Sequence, residues 1–163
     1  MALYHLDADW LIALAELYHE HHEAADKAAR QWLSEGHQIA TSAVAWSEFF
    51  TGKKSLRSVD DAMRCKTVIN GGIVGFNAPQ AEKAAELFEQ IGRIRGMRLD
   101  CFIAAEAIVA GAELATFNIR DFNRFLPFGL RIASFTALEF SATDSDQAGS
   151  HVLEHKRKRK EST

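Results

Sequence analysis

The segment ALYHLDADWLIAL, residues 2–14, joins a short apolar run to an apolar helical stretch through two aspartates. Residues 2–6 are predicted to form a strand and residues 10–17 a helix. Asp7 and Asp9 lie between the two, so either is a candidate N-cap for the helix. Because both cannot cap one helix, one carboxylate is left over where a strand ends.

The rest of the chain repeats this alternation of short strands and longer helices. Further strands are predicted at residues 38–41, 73–76, 113–116 and 130–134. Further helices are predicted at residues 19–34, 43–51, 58–69, 79–94 and 101–110. This order predicts an α/β fold with a parallel sheet and helices on both faces. In such sheets, functional groups gather beyond the carboxyl ends of the strands.

Composition limits the class of protein. A chain of 163 residues with 47% apolar and 25% charged residues is typical of one folded domain. Its net charge of −3 argues against binding nucleic acid over the whole surface, but not at a local site. Two cysteines that lie far apart in the sequence and the lack of a long apolar run predict a cytoplasmic protein with no membrane partner. We expect the domain to span residues 1–140, and residues 141–163 to form a polar, then basic, disordered tail.

Several polar residues stand where a parallel sheet gathers its functional groups. Glu48 lies in a mostly apolar helix, so it is either at the rim of that helix or buried with a partner. Asp100 begins the apolar helix 101–110, where an N-cap is the ordinary role. Asn118 and Asp121 follow a predicted strand, where turn formation is the ordinary role. Together with Asp7, these residues predict a cluster of acids at one edge of the sheet.

Clustered carboxylates call for a cation. Acids within about 4–6 Å repel one another and raise each other's pKa unless a positive charge intervenes. A hard divalent ion with oxygen ligands, Mg²⁺ or Mn²⁺, is the usual solution. The pattern therefore indicates a divalent-metal site.

Four segments, in this order, resemble the motifs of the PIN-domain family and most of all those of bacterial VapC-type toxins. They are Leu6-Asp7-Ala8-Asp9, Ser47-Glu48-Phe49-Phe50-Thr51-Gly52, Leu99-Asp100-Cys101-Phe102-Ile103-Ala104-Ala105 and Ala115-Thr116-Phe117-Asn118-Ile119-Arg120-Asp121-Phe122. The resemblance covers roughly residues 2–135. It implies a three-layer α/β/α sandwich with a short-stranded, mostly parallel sheet. It also implies an endoribonuclease that needs Mg²⁺ or Mn²⁺, commonly a homodimer neutralised by a cognate antitoxin.

The resemblance also assigns roles to individual residues. It implies that Asp7, Glu48 and Asp100 hold the metal and that Asn118 orients water or metal. Asp9 departs from the small hydroxyl or amide residue usual at its position, so it is a weaker candidate. Asp121 is weaker too, because Asn118 is the residue that matches the motif.

Positive residues are needed to hold the RNA backbone around an acidic site. The candidates for this rim are Lys53, Lys54, Arg98 and Arg120, whose ordinary role is surface charge. Three histidines, His19, His21 and His22, are more typical of a solvated helix start than of a metal site.

Two other functions stay open at this point. A strand followed by Asp-x-Asp is also the first motif of haloacid-dehalogenase-like phosphatases, with Asp7 as nucleophile and Asp9 as general acid. Trp10 follows where those enzymes have Gly or Thr. The third interpretation is a catalytically inactive PIN-like module that binds another protein.

Overall fold

The computed structural model describes residues 1–51 and 58–135. Within this part, five strands form one sheet in which every pairing is parallel, in the order β3-β2-β1-β4-β5. The strands are β1 (Leu3–Leu6), β2 (Gln38–Ser42), β3 (Gly72–Val74), β4 (Glu113–Ala115) and β5 (Arg131–Ile132). The central position of β1 places the aspartates that follow it between the ends of β2 and β4.

Helices cover both faces of the sheet. They are α1 (Ala8–Ala15), α2 (His22–Ser34), α3 (Ala43–Phe50), α4 (Val59–Val68), α5 (Ala78–Gln90), α6 (Arg98–Ala110) and α7 (Ile119–Phe122), followed by a 3-10 helix (Asn123–Phe128). One core cluster joins the sheet to α1, α2 and α4, and a second joins it to α5, α6 and the 3-10 helix. Successive residues of β4 point to opposite clusters, Leu114 to the second and Ala115 to the first. The predicted α/β/α fold with a parallel sheet is confirmed.

The start of α3 follows from its sequence, whereas the end of α5 differs from the predicted one. Ser42 caps α3 by accepting a hydrogen bond from the N–H of Ala45 at 2.9 Å. The helix predicted at residues 79–94 ends earlier, at Gln90, because Gly92 adopts a φ of 78° and the N–H of Arg93 donates to the carbonyl of Phe88. This pair of features is a Schellman motif, which ends a helix by satisfying its last carbonyls.

Asp100 is not the N-cap of its helix, contrary to the ordinary role considered for it. Helix α6 begins at Arg98, with Met97 in the cap position, so Asp100 lies within the first turn. A carboxylate there still interacts favourably with the helix dipole. Its oxygens are not used by a cap, because the cap position of α6 makes no side-chain hydrogen bond.

The apolar helix α6 carries one fully buried acid, Glu106. Burial raises the pKa of its carboxyl group to about 7, and the Ser42 hydroxyl only partly offsets this effect. Near neutral pH a large share of Glu106 is therefore protonated, which explains how an acid is tolerated in the middle of a buried helix.

No helix in the described ranges is long and apolar enough to span a membrane. The predicted domain end at residue 140 and the polar tail at residues 141–163 lie outside the described residues and stay predictions.

Candidate metal-dependent active site

Asp7 sits at the carboxyl end of β1 and caps α1. Its Oδ1 accepts a hydrogen bond from the N–H of Ala8 at 2.7 Å, and its Oδ2 accepts one from the Thr116 hydroxyl at 2.8 Å. The backbone N–H of Asp7 donates to the carbonyl of Ala115 at 2.9 Å, which continues the pairing of β1 with β4. The side chain of Asp7 is 5% exposed. Burial, followed by the charge of Asp9, raises its pKa well above the ordinary value, while the bonds from Thr116 and Ala8 work against this rise.

Asp9 binds the turn that follows β4. Its Oδ2 accepts hydrogen bonds from the backbone N–H groups of Phe117 and Asn118, both at 2.9 Å, and lies 3.2 Å from the Thr116 hydroxyl. Its other oxygen, Oδ1, is buried and has no hydrogen-bond partner of good geometry among the described residues. Burial raises the pKa of Asp9 despite these donors. Asp9, the aspartate that does not cap α1, therefore connects α1 to a turn more than 100 residues later in the chain. Its Oδ1 is left without a hydrogen-bond partner of good geometry among the described residues.

Glu48 and Asp100 face this pair from α3 and α6. Burial raises the pKa of Glu48, and the negative charges of Asp100 and Asp9 raise it further. Burial and the charge of Asp121 raise the pKa of Asp100, against an opposing effect of Arg124. Glu48 in turn contributes to the raised pKa of Asp7. The four acids therefore share one electrostatic environment, and three of them, Asp7, Glu48 and Asp100, are acids that the sequence pattern singles out.

The residues present fit a divalent cation that keeps part of its water shell. No three acidic, histidine or cysteine side chains within residues 1–51 and 58–135 stand close enough together to enclose an ion by themselves. Mg²⁺ typically takes only one or two protein carboxylates and retains several waters. Oδ1 of Asp9 is buried without a hydrogen-bond partner of good geometry among the described residues. Burial raises the pKa values of Asp7, Glu48 and Asp100, and the negative charges of neighbouring acids add to this effect, so a bound cation would stabilise the cluster.

The family comparison agrees with this arrangement. The PIN domain family matches residues 4–125, three quarters of the chain. The chain belongs to the PIN domain family. The match confirms the resemblance found in the four motifs and favours it over the phosphatase interpretation of Asp7 and Asp9. No curated protein matches the chain by sequence.

Solved structures with the same fold include several toxin–antitoxin proteins. VapBC2 from Rickettsia felis, bound to a promoter DNA fragment, has 22% identity and a TM-score of 0.60, covering 82% of this chain and 98% of that one. FitAcB from Neisseria gonorrhoeae has 16% identity and a TM-score of 0.62, covering 80% and 96%. VapC20 from Mycobacterium tuberculosis, a toxin that cleaves the sarcin–ricin loop, has 18% identity and a TM-score of 0.52, covering 68% and 85%.

The remaining candidates of this PIN domain are two residues that interact with the acids, two arginines, and two lysines outside the described residues. Asn118 contributes its backbone N–H to Asp9, and Asp121 lies 3.6 Å from Arg124 in an ion pair. The Arg98 guanidinium stacks on Phe88, 5.1 Å from the ring centre. Arg120 is exposed on α7, beside Asn118. The two lysines predicted for the rim, Lys53 and Lys54, lie outside the described residues.

Sequence reasoning missed Thr116 as a functional residue of the PIN domain. Thr116 is fully buried, and its hydroxyl reaches both Asp7 and Asp9. Its position directly after a strand was visible, but the pairing of β4 with β1 was not. A threonine beside two carboxylates is a positioning residue, because it fixes the orientation of the groups that would hold the metal.

We expect Thr116→Val to weaken Mg²⁺ binding by roughly 10- to 100-fold, because it removes the donor to Asp7 and keeps the shape of the side chain. It should also lower the free energy of unfolding by about 1–2 kcal/mol, because Asp7 loses its partner in a buried position. Calorimetric Mg²⁺ titration and urea unfolding measure the two effects. Thr67→Val is the control, since that hydroxyl only donates to the carbonyl of Arg64 within α4. Unchanged Mg²⁺ affinity in Thr116→Val would contradict the positioning role.

Proposed function

We propose that this PIN domain is a metal-dependent endoribonuclease and the toxin of a toxin–antitoxin pair. The observation that carries the proposal is the convergence of Asp7, Asp9, Glu48 and Asp100 in one electrostatic environment at the carboxyl ends of β1 and its neighbours. The toxins and toxin–antitoxin complexes among the structural neighbours support the same assignment. The proposed substrate is RNA, and the proposed reaction is hydrolysis of a phosphodiester bond.

Asp7 and Asp100 are the proposed ligands of Mg²⁺ or Mn²⁺, and Glu48 is proposed to hold the ion through one of its water molecules. When bound, the ion neutralises phosphate charge and lowers the pKa of a water molecule. Asp7 is held in place by Ala8 and Thr116, so its carboxylate does not need to reorganise on binding.

Asp9 has a positioning role in the proposal. Its bonds to Phe117 and Asn118 fix the turn after β4 against α1, which keeps Asn118 beside the acids. Glu48 is the proposed proton acceptor for the attacking water. It is half-buried and lies close enough to Asp9 and Asp100 for their charges to act on it, which places its carboxylate at the proposed metal site.

Two protein partners complete the proposal. A cognate antitoxin would bind this chain, and a second copy would form a homodimer. A small antitoxin-like gene next to the gene for this chain would support the first partner, and sedimentation of the purified chain measures the second.

The proposal is tested by incubating the purified chain with total RNA in Mg²⁺, in Mn²⁺ and in EDTA, and by mapping the new RNA ends. We expect discrete cleavage with either metal and none in EDTA, because an uncompensated acidic site repels the phosphate backbone. Cleavage that continues undiminished in EDTA would refute the metal requirement. The absence of any cleavage at any metal concentration would refute the nuclease assignment.

A further inference from the structure

A stack of aromatic rings leads from the core of the domain, past the turn that Asp9 binds, to the surface. Trp10, fully buried on α1, stacks on Phe117 with ring centres 4.6 Å apart and planes within 11°. Phe117 stacks on His21 with ring centres 4.2 Å apart and planes within 16°. The stack is buried at Trp10, half-buried at Phe117 and open at His21, whose side chain is 40% exposed.

This stack is joined to the site through the backbone of Phe117. The N–H of Phe117 donates to Oδ2 of Asp9, so the His21 imidazole is one aromatic ring away from the turn that Asp9 holds. The segment carrying His21 is itself fixed. The N–H of His21 donates to Nδ1 of His19, and the His22 ring bonds the carbonyl of Ala13 at 2.7 Å.

The other contacts of His21 do not close it off. The His19 ring is 5.6 Å away and tilted by 54°, so it does not stack on His21. Nε2 of His21 lies 3.9 Å from Oε1 of Glu20, a side chain that is 81% exposed. An exposed pair at this distance contributes little and leaves the imidazole available.

We propose that His21, supported by Phe117, stacks on an unpaired nucleobase of the RNA next to the scissile phosphate. The inference rests on the proposed function and adds to it a residue that binds and positions the RNA substrate. Single-stranded RNA is typically bound by stacking of splayed bases on aromatic and histidine rings. A rigid, core-anchored stack beside an acidic site offers this surface at low entropic cost, since the supporting rings are already ordered.

Kinetics with a short single-stranded RNA that spans the mapped cleavage site test the inference. We expect His21→Ala to raise KM by about tenfold, as loss of one base-stacking contact does, and to leave kcat within about twofold. His21→Phe keeps a stacking ring and should retain the wild-type KM. Tyr18→Ala is the matched control, because it removes a fully exposed aromatic ring from the same loop and leaves the hydrogen bond between His19 and His21 in place. Circular dichroism and urea unfolding check that each variant folds.

An RNA with an abasic nucleotide beside the cleavage site gives a second, independent readout. On this RNA, the KM of the wild-type chain should rise by the same factor as the KM of His21→Ala rises on the normal RNA. The KM of His21→Ala should be the same on the abasic RNA and on the normal RNA, because the stacking contact is already absent.

Three outcomes overturn the stacking role in an active enzyme. They are an unchanged KM in His21→Ala, a His21→Phe variant as weak as His21→Ala, and a loss confined to kcat. If the wild-type chain cleaves no RNA, the proposed function fails and the inference fails with it. If the wild-type chain cleaves and His21→Ala matches it, only the stacking role fails.

Discussion

Asp100→Asn is expected to reduce RNA cleavage by a factor on the order of 10² to 10³, while the fold is retained. Asparagine has the shape of aspartate, so the first turn of α6 should be undisturbed. It removes a negative charge that Glu48 senses directly and that is proposed to hold the metal. Single-turnover cleavage of the mapped RNA at saturating Mg²⁺ gives the rate, and circular dichroism gives the fold.

Asp60→Asn is the matched control for this experiment. Asp60 is also an aspartate in the first turn of a helix, α4, but it is exposed and is not part of the acidic cluster. We expect its cleavage rate to equal that of the wild-type chain. A folded Asp100→Asn variant with full activity would overturn the assignment of Asp100, and an unfolded one would show that the residue is structural.

Local signals predicted most of the elements around the site. The strand before Asp7, the Ser42 cap of α3 and the apolar character of α6 all follow from neighbouring residues, and the structure contains them. Such features depend on capping and on hydrophobic periodicity, which act over one or two helical turns. The four motifs resembled a known family for the same reason, because each is a short local pattern.

Several contacts between distant segments were not predicted, although the parallel sheet that makes them possible was. Residues 2–14 showed that only one of Asp7 and Asp9 could cap α1, but they did not show what the other carboxylate binds. Asp9 binds N–H groups at Phe117 and Asn118, and that contact exists only because β4 pairs with β1. The stacking of His21 on Phe117 likewise depends on this pairing, and the histidines alone suggested only a solvated helix start.

The end of α5 shows a different limit. Both Gly92 and Gly96 adopt positive φ values, and the apolar stripe continues to Ile94. The apolar stripe favoured a helix end near Gly96, but the Schellman motif that ends α5 forms at Gly92. The spacing of apolar residues is therefore a good predictor of the buried face of a helix but a poor predictor of where the helix ends.

The largest expected effect on stability comes from Asp7→Asn, and its sign depends on pH and metal. The pKa of Asp7 is raised in the folded chain, so the folded state keeps a proton that the unfolded state has already released above the ordinary pKa. Raising the pH from that ordinary value therefore destabilises the wild-type chain through Asp7 until the raised pKa is passed. Asparagine caps a helix as well as aspartate does and does not ionise.

In EDTA near neutral pH, we therefore expect Asp7→Asn to be more stable than the wild-type chain, by on the order of 0.5–2 kcal/mol, the usual range of stabilising substitutions. The difference should disappear in acid, where Asp7 is protonated in both states. Mg²⁺ should reverse the order, because an ion present at about 100 times its Kd stabilises the wild-type chain by about 2.7 kcal/mol and the variant by less. Urea unfolding at several pH values, with EDTA and with Mg²⁺, measures all three effects.

Comparing the two chains removes the contribution of groups that do not interact with Asp7, such as His5, whose pKa is lowered by burial to about 4. The difference reports Asp7 together with Asp9 and Glu48, whose charges act on it. A variant that is less stable than the wild-type chain in EDTA at neutral pH would mean that Asp7 mainly stabilises the fold. If the variant is more stable in EDTA but Mg²⁺ gives the wild-type chain no extra stability, the acids repel one another and do not hold a metal. Only the combination of both effects fits a site whose acids repel one another until a cation binds.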